Sequence, residues 1–223
     1  MRIIQALLLS VVLISPVLAD TTTIAAADIV DAFGYIWAST TNYGDETYLL
    51  AQADDIRKAY MRFNLTGIRG NIDSVELYLF RQSPDQGVQL YFAPLSRAFV
   101  ESEVTWLEAS DGVDWTTAGG DYKLCDEEWC DSLTDAGADD WSEDVYCSRG
   151  DGAGLTEMVQ DWVDGNNYGM VIYTYYSANE YRISSTEHST GDERPSLFIK
   201  YTTAESGESF RRRKIIIGHN GGK

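Results

Sequence analysis

From Phe33 to Tyr201, short stretches of alternating apolar and polar residues recur, and that period of two limits the fold more than any other feature. Phe33, Tyr35 and Trp37 alternate, Asn42-Tyr43-Gly44-Asp45 supplies a turn, and Tyr48-Leu49-Leu50 begins the next strand. In residues 60–65, Met61, Phe63 and Leu65 face one way while Tyr60, Arg62 and Asn64 face the other. Arg62 is read as the partner of a carboxylate such as Glu187 rather than as a ligand contact, because a charge on a half-buried strand usually finds a partner. Residues 75–80 and 88–92 read as two more strands, and the first carries apolar residues on both faces, which predicts cover on both sides. Phe99 and Val104-Thr105-Trp106 are expected to continue the sheet. Residues 170–176 are β-branched and aromatic, and Leu197, Ile199 and Tyr201 alternate with Phe198 and Lys200. One segment breaks the pattern. Leu155, Met158, Val159 and Trp162 recur at helical spacing and Gly165 stops them, which predicts one short helix near 156–163. Many short strands, turns between them and only four prolines read as an all-β antiparallel sandwich over about residues 24–202.

Several pieces, in order, resemble a known family. They are Tyr60-Met61-Arg62-Phe63-Asn64-Leu65, Val75-Glu76-Leu77-Tyr78, Val104-Thr105-Trp106 and Trp115-Thr116-Thr117-Ala118-Gly119-Gly120-Asp121. They continue with Val159-Gln160-Asp161-Trp162, Asn167-Tyr168-Gly169, Ser185-Thr186-Glu187 and Arg194-Pro195-Ser196-Leu197. The chain is similar in these to the DNRLRE (disaggregatase-related) domain family. The resemblance implies a jelly-roll-like sandwich of the kind used by carbohydrate-binding modules, some of them alginate-binding.

At the start, Met1-Arg2, an apolar run from Ile3 to Val17 and the small residue Ala19 read as a secretory signal peptide over 1–19, cleaved before Asp20. The run is shorter than the ~20 apolar residues of a comfortable span, so no integral span is expected after cleavage. The mature domain, 20–203, is long enough for one buried core. A net charge of −18 argues against nucleic acid and anionic membranes as partners and keeps an exported chain soluble.

Residues 123–154 form an acidic insertion holding all three cysteines, Cys125, Cys130 and Cys147. That count allows one internal disulfide and leaves one thiol, with the pairing open. A zinc site lacks a fourth ligand there, since His188 and His219 lie far along the chain. No cofactor is required by the sequence, but the carboxylates Asp126, Glu127, Glu128, Asp131, Asp135, Asp139, Asp140, Glu143 and Asp144 make calcium a candidate. The competing reading is a solvated acidic loop. The tail, 204–223, places Arg211, Arg212, Arg213 and Lys214 before Ile215, Ile216 and Ile217. Such a segment suits attachment or self-association by strand addition.

Fourteen tyrosines and six tryptophans supply the amphipathic rings that stack on sugars. Tyr173 and Tyr175, on one face of their strand, with Tyr181 and Arg182 past the next turn, are the candidate ligand residues. An alternative places that face in the core, with Thr174 and Tyr176 outward. A catalytic reading would use His188 in Ser-Ser-Thr-Glu-His-Ser, but no nucleophile elbow surrounds any serine. The expectation is a secreted or cell-surface, non-catalytic polysaccharide-binding module or adhesion protein. Two other classes stay open: a structural surface, fibre or virion component assembling through the tail, and a polysaccharide lyase or hydrolase.

Overall fold

The computed structural model describes residues 18–53, 55–82, 89–122, 131–134, 140–143, 154–175 and 180–203. Two antiparallel sheets carry the fold. β1 (Leu18–Ile24), β13 (Ser196–Thr203), β5 (Asn71–Phe80) and β10 (Asp140–Glu143) pair in the order β1-β13-β5-β10. The larger sheet runs β12 (Glu180–Ser184), β3 (Tyr48–Gln52), β4 (Arg57–Phe63), β11 (Met170–Tyr173), β6 (Gln89–Pro94) and β9 (Asp131–Thr134), with β2 (Ile29–Tyr35) along β4. A small hairpin joins β7 (Glu108–Ser110) to β8 (Val113–Asp114).

The alternation read from the sequence decides which face is buried. Leu49, Met61, Phe63, Met170 and Ile172 of the larger sheet meet Val75, Leu77, Leu79, Leu197 and Ile199 of the smaller one in a single core. Helix α1 (Gly154–Asp161) closes this core with Leu155, Met158 and Val159. A π-turn, Trp162–Asn166, follows it and buries Trp162 against the Phe63 ring at 5.9 Å. The expected helix is present but ends two residues sooner. Gly169 then lets the chain enter β11, since a Cβ there would stand 2.5 Å from the Met61 carbonyl and the residue has φ +87°.

Three local expectations are corrected. β5 is covered on one face only: Ile72, Val75, Leu77 and Leu79 are buried, Glu76 is exposed, and Tyr78 and Phe80 are half-buried. Trp37 does not continue β2, which ends at Tyr35. It sits in a 3-10 turn, Ile36–Ala38, and is 73% exposed. Phe99, Val104 and Trp106 are not strand residues. They belong to a connection that folds across the outer face of the larger sheet, where Phe99, Val104, Ala109 and Trp115 bury Ala32, Tyr60, Ala93 and Val171 in a second core. The Trp115 indole fixes that cover by donating to the Thr105 carbonyl at 3.1 Å. The larger sheet is therefore apolar on both faces, which is why β11 is buried at all four positions.

Cleavage before Asp20 would remove Leu18 and Ala19 from β1 and leave Asp20 to Ile24 paired with Tyr201 to Leu197. The rest of the expected signal peptide, the three cysteines and the tail lie outside the described residues. Of the insertion's nine carboxylate residues, only Asp131, Asp140 and Glu143 fall within described strands, β9 and β10. Among the described residues no helix is long and apolar enough to cross a membrane.

Candidate functional site

Among the described residues the cover leaves one margin of the larger sheet open, where Tyr175 is exposed and Tyr91 and Tyr122 are half-buried. Tyr91 on β6 and Tyr173 on β11 are register partners with rings stacked at 5.6 Å. Tyr175 lies edge-on to both, 5.0 Å from Tyr91 and 5.2 Å from Tyr173. Tyr122, from the end of the cover, completes the cluster 5.2 Å from Tyr173. Tyr173 is the buried floor of this group, whereas Tyr175 is 52% exposed.

Beside Tyr122 opens a cleft of about 610 Å³ lined by Asp55, Lys58, Ser96, Arg97, Thr117 and Asp121, among others. Lys58 is almost wholly buried, pairs with Asp55 at 3.0 Å and lies 4.9 Å from the centre of the Tyr122 ring and 5.2 Å from that of Trp106. Burial pushes the Tyr122 phenol above its usual pKa, and the Lys58 ammonium only partly offsets this. Arg97 pairs with Asp121 at 3.0 Å and donates to the Asp114 carbonyl at 3.2 Å. Burial pushes the Asp121 carboxyl up. Hydrogen bonds from Thr117 and Thr116, with the Arg97 charge, outweigh that and hold it below the usual range. The cleft thus offers fixed, ionised groups beside aromatic faces.

Gly119 makes this geometry accessible to the chain. Its φ is +89°, and a Cβ would lie 2.7 Å from the Trp106 indole, so only glycine lets the cover press onto Trp106 and then deliver Asp121 and Tyr122.

The four candidate ligand residues do not converge. Tyr173 and Tyr175 share the cluster just described. Tyr181 points to the opposite face and is buried in the inter-sheet core with Ile183. Arg182 lies over the Tyr48 ring at 4.2 Å and bonds Glu180 at 2.9 Å, and Glu180 also pairs with Arg57. Arg57 in turn sits 4.2 Å over Tyr35, whose ring meets the exposed Trp37 at 5.6 Å. This makes a second, smaller aromatic and charged patch. Of the two residues expected outward in the alternative reading, Thr174 is buried, and Tyr176 lies outside the described residues. Sequence reasoning missed Tyr91, Tyr122, Lys58 and Arg97. Tyr91 had a signal, since it stands out of phase with Leu90 and Phe92, the apolar face of its own strand.

A third group is acidic. Asp31 of β2, Glu101 and Glu187 each bring a carboxylate oxygen within 4.8 Å of the others. Burial first, then the charges of Glu187 and Glu101, push the Asp31 carboxyl well above its usual range. Burial also raises Glu101. Arg62 does not form the expected pair with Glu187 among the described ion pairs; its guanidinium lies 5.5 Å over Phe99, and its charge acts on Glu101. The Ser/His arrangement considered for catalysis is not assembled. Ser185 Oγ donates to the Glu46 carbonyl at 2.6 Å, while His188 Nδ1 accepts from the Thr190 amide and faces Glu193 at 3.3 Å.

Residues 24–116 match the sequence model of carbohydrate-binding module family 96. The matched stretch runs from the end of β1 through Trp115 of the cover and includes Trp37, Lys58, Tyr91 and Arg97. Over that stretch the chain is similar to carbohydrate-binding modules. No curated protein matches the chain.

Proposed function

We propose that this protein is an extracellular, non-catalytic polysaccharide-binding module whose ligand lies along Tyr91, Tyr175 and Tyr122 and into the adjoining cleft. The observation that carries this reading is the open tyrosine cluster beside fixed polar groups, in a chain similar to carbohydrate-binding modules over 24–116. Tyrosine faces pack on the C–H surfaces of a pyranose ring, and their hydroxyls reach sugar hydroxyls. Lys58, Arg97 and Asp121 are held by partners, so they can hydrogen-bond a sugar with little ordering cost. The net charge of −18 repels polyanions at long range. That repulsion is screened beyond about 8 Å at physiological ionic strength, so Lys58 and Arg97 can still meet a uronate locally.

Affinity gel electrophoresis tests this on a panel holding alginate, other uronate polymers and neutral polysaccharides. Wild type is expected to be retarded by at least one polymer. Tyr175→Ala and Tyr91→Ala should each weaken retention about tenfold, matching the loss of about 1.4 kcal/mol from one aromatic contact. Tyr181→Phe, altered in the core, should bind as wild type. Release of oligosaccharide or unsaturated product would replace the non-catalytic reading with the enzymatic one. Retention by no polymer would favour the structural role.

A further inference from the structure

Asp31, Glu101 and Glu187 come from three separate parts of the chain: a strand, the cover over the outer face and the loop after β12. We propose that they form a calcium site that ties those three parts together, distinct from the sugar-binding face.

The geometry has three parts. First, each carboxylate is anchored through one oxygen. The Thr186 amide donates to Asp31 Oδ2 at 2.9 Å, the Asp31 amide donates to Glu101 Oε1 at 2.9 Å, and the Thr186 hydroxyl donates to Glu187 Oε1 at 2.8 Å. Such outer contacts orient ligand oxygens before a metal arrives. Second, the remaining oxygens of Asp31 and Glu187, Oδ1 and Oε2, are buried with no hydrogen-bond partner among the described residues. Asp31 itself has no solvent exposure, so water cannot solvate its orphaned oxygen freely. Third, the three carboxylates lie within 4.8 Å of one another. Two oxygens on opposite sides of one calcium ion, at about 2.4 Å each, are separated by about that distance.

An all-carboxylate donor set selects a hard cation. Calcium accepts six to eight oxygens in irregular arrangements, whereas magnesium demands a near-ideal octahedron at about 2.0–2.1 Å. Donors arriving from a strand and two loops suit the tolerant ion. The charges around the group point the same way. Asp45 adds to the negative field on Glu101, and the Arg62 charge opposes it there. The backbone of Glu101 is held in turn by Asn42, whose side-chain amide donates to the carbonyls of Glu101 and Val104 at 2.7 and 2.8 Å. A bound ion would therefore brace the cover that carries Phe99 and Trp115.

Calorimetric unfolding of the full mature chain, after chelation and then with added calcium or magnesium chloride, tests the site. Calcium at a hundredfold excess over its dissociation constant should raise the midpoint by about 5–10 °C, and magnesium far less. Asp31→Asn and Glu187→Gln should each abolish that rise. A triple variant of the insertion, Asp126→Asn with Glu127→Gln and Glu128→Gln, should keep it. Should Asp31→Asn fail to fold, direct titration of calcium into Glu101→Gln and Glu187→Gln gives the same answer, with at least a hundredfold weaker binding expected. The proposal is overturned by a calcium response lost in the insertion variant but kept in Asp31→Asn and Glu187→Gln. It is equally overturned by wild type showing no calcium response, the result expected if Asp31 is simply held as a neutral acid.

Discussion

Tyr60 shows what one polar atom does inside the second core. Its side chain is fully buried, with Phe99 and Trp115 rings 5.8 and 5.6 Å away, and its hydroxyl has no hydrogen-bond partner among the described residues. Burial, and then the neighbouring Tyr122, push its pKa far above the ordinary tyrosine value. An unfolded chain titrates tyrosine near pH 10. Above that pH the unfolded state loses a proton that the native state keeps. The native state then binds more protons, so the stability present below about pH 10 falls as pH rises toward the folded pKa. Tyr60→Phe should remove part of that alkaline decline. At neutral pH it should be neutral or stabilising by about 1 kcal/mol, because it deletes an unpaired buried group. Urea midpoints at about pH 7 and about pH 11 check both statements. An unchanged alkaline slope in the variant, or a clear neutral-pH loss, would show that the hydroxyl is satisfied.

At the level of elements, the cover joining β6 to Tyr122 decides which aromatic rings reach solvent. Gly119→Ala forces a Cβ to 2.7 Å from the Trp106 indole at a residue with φ +89°. The expected cost is about 1–3 kcal/mol, and the displaced turn should also move Tyr122 and Asp121 off the cleft. Thermal unfolding together with retention on the same polysaccharide measures both effects. A variant as stable as wild type and binding equally well would show that the turn has slack. The strands around this cover were legible because a half-buried strand writes its burial as a period of two. Met61, Phe63 and Leu65 do so in one core, as do Leu197 and Ile199 from the facing sheet. The cover itself has no such period. Phe99, Val104 and Trp115 reach the second core from irregular connections, so their spacing carried no signal and strand was the natural expectation. The same limit hid the acidic group. Asp31 and Glu101 are 70 positions apart, and only the closed sandwich brings them together. Tyr181 misled for a related reason: an apolar and a ligand-facing tyrosine look alike until the strand's neighbours are known.

For the whole molecule, the two ends of the domain meet in one seam of the smaller sheet. β13 lies between β1 and β5, so β1 covers an edge that would otherwise be open. A chain beginning at Asp20 keeps five of the seven β1–β13 register pairs, together with the contact from the Tyr201 hydroxyl to Asp20 at 3.2 Å. It also keeps Ile24, whose buried side chain belongs to the inter-sheet core. This chain should fold as wild type. A chain beginning at Ala25 loses the whole strand. Losing Ile24 from the core should cost about 1.5–3 kcal/mol, and the bared edge of β13 offers unpaired amides and carbonyls to another chain. The net charge of −18 opposes that encounter at low ionic strength. Salt shortens the Debye length from about 30 Å at 0.01 M to about 8 Å at 0.15 M. The shorter chain should therefore stay monomeric in low salt and associate as salt is added, while the chain from Asp20 remains monomeric in both. Light scattering over a concentration series at the two ionic strengths reads this directly. A monomeric shorter chain with an unchanged unfolding midpoint would mean that β1 is dispensable and that β13 protects its own edge, for which the outward Lys200 is the available device.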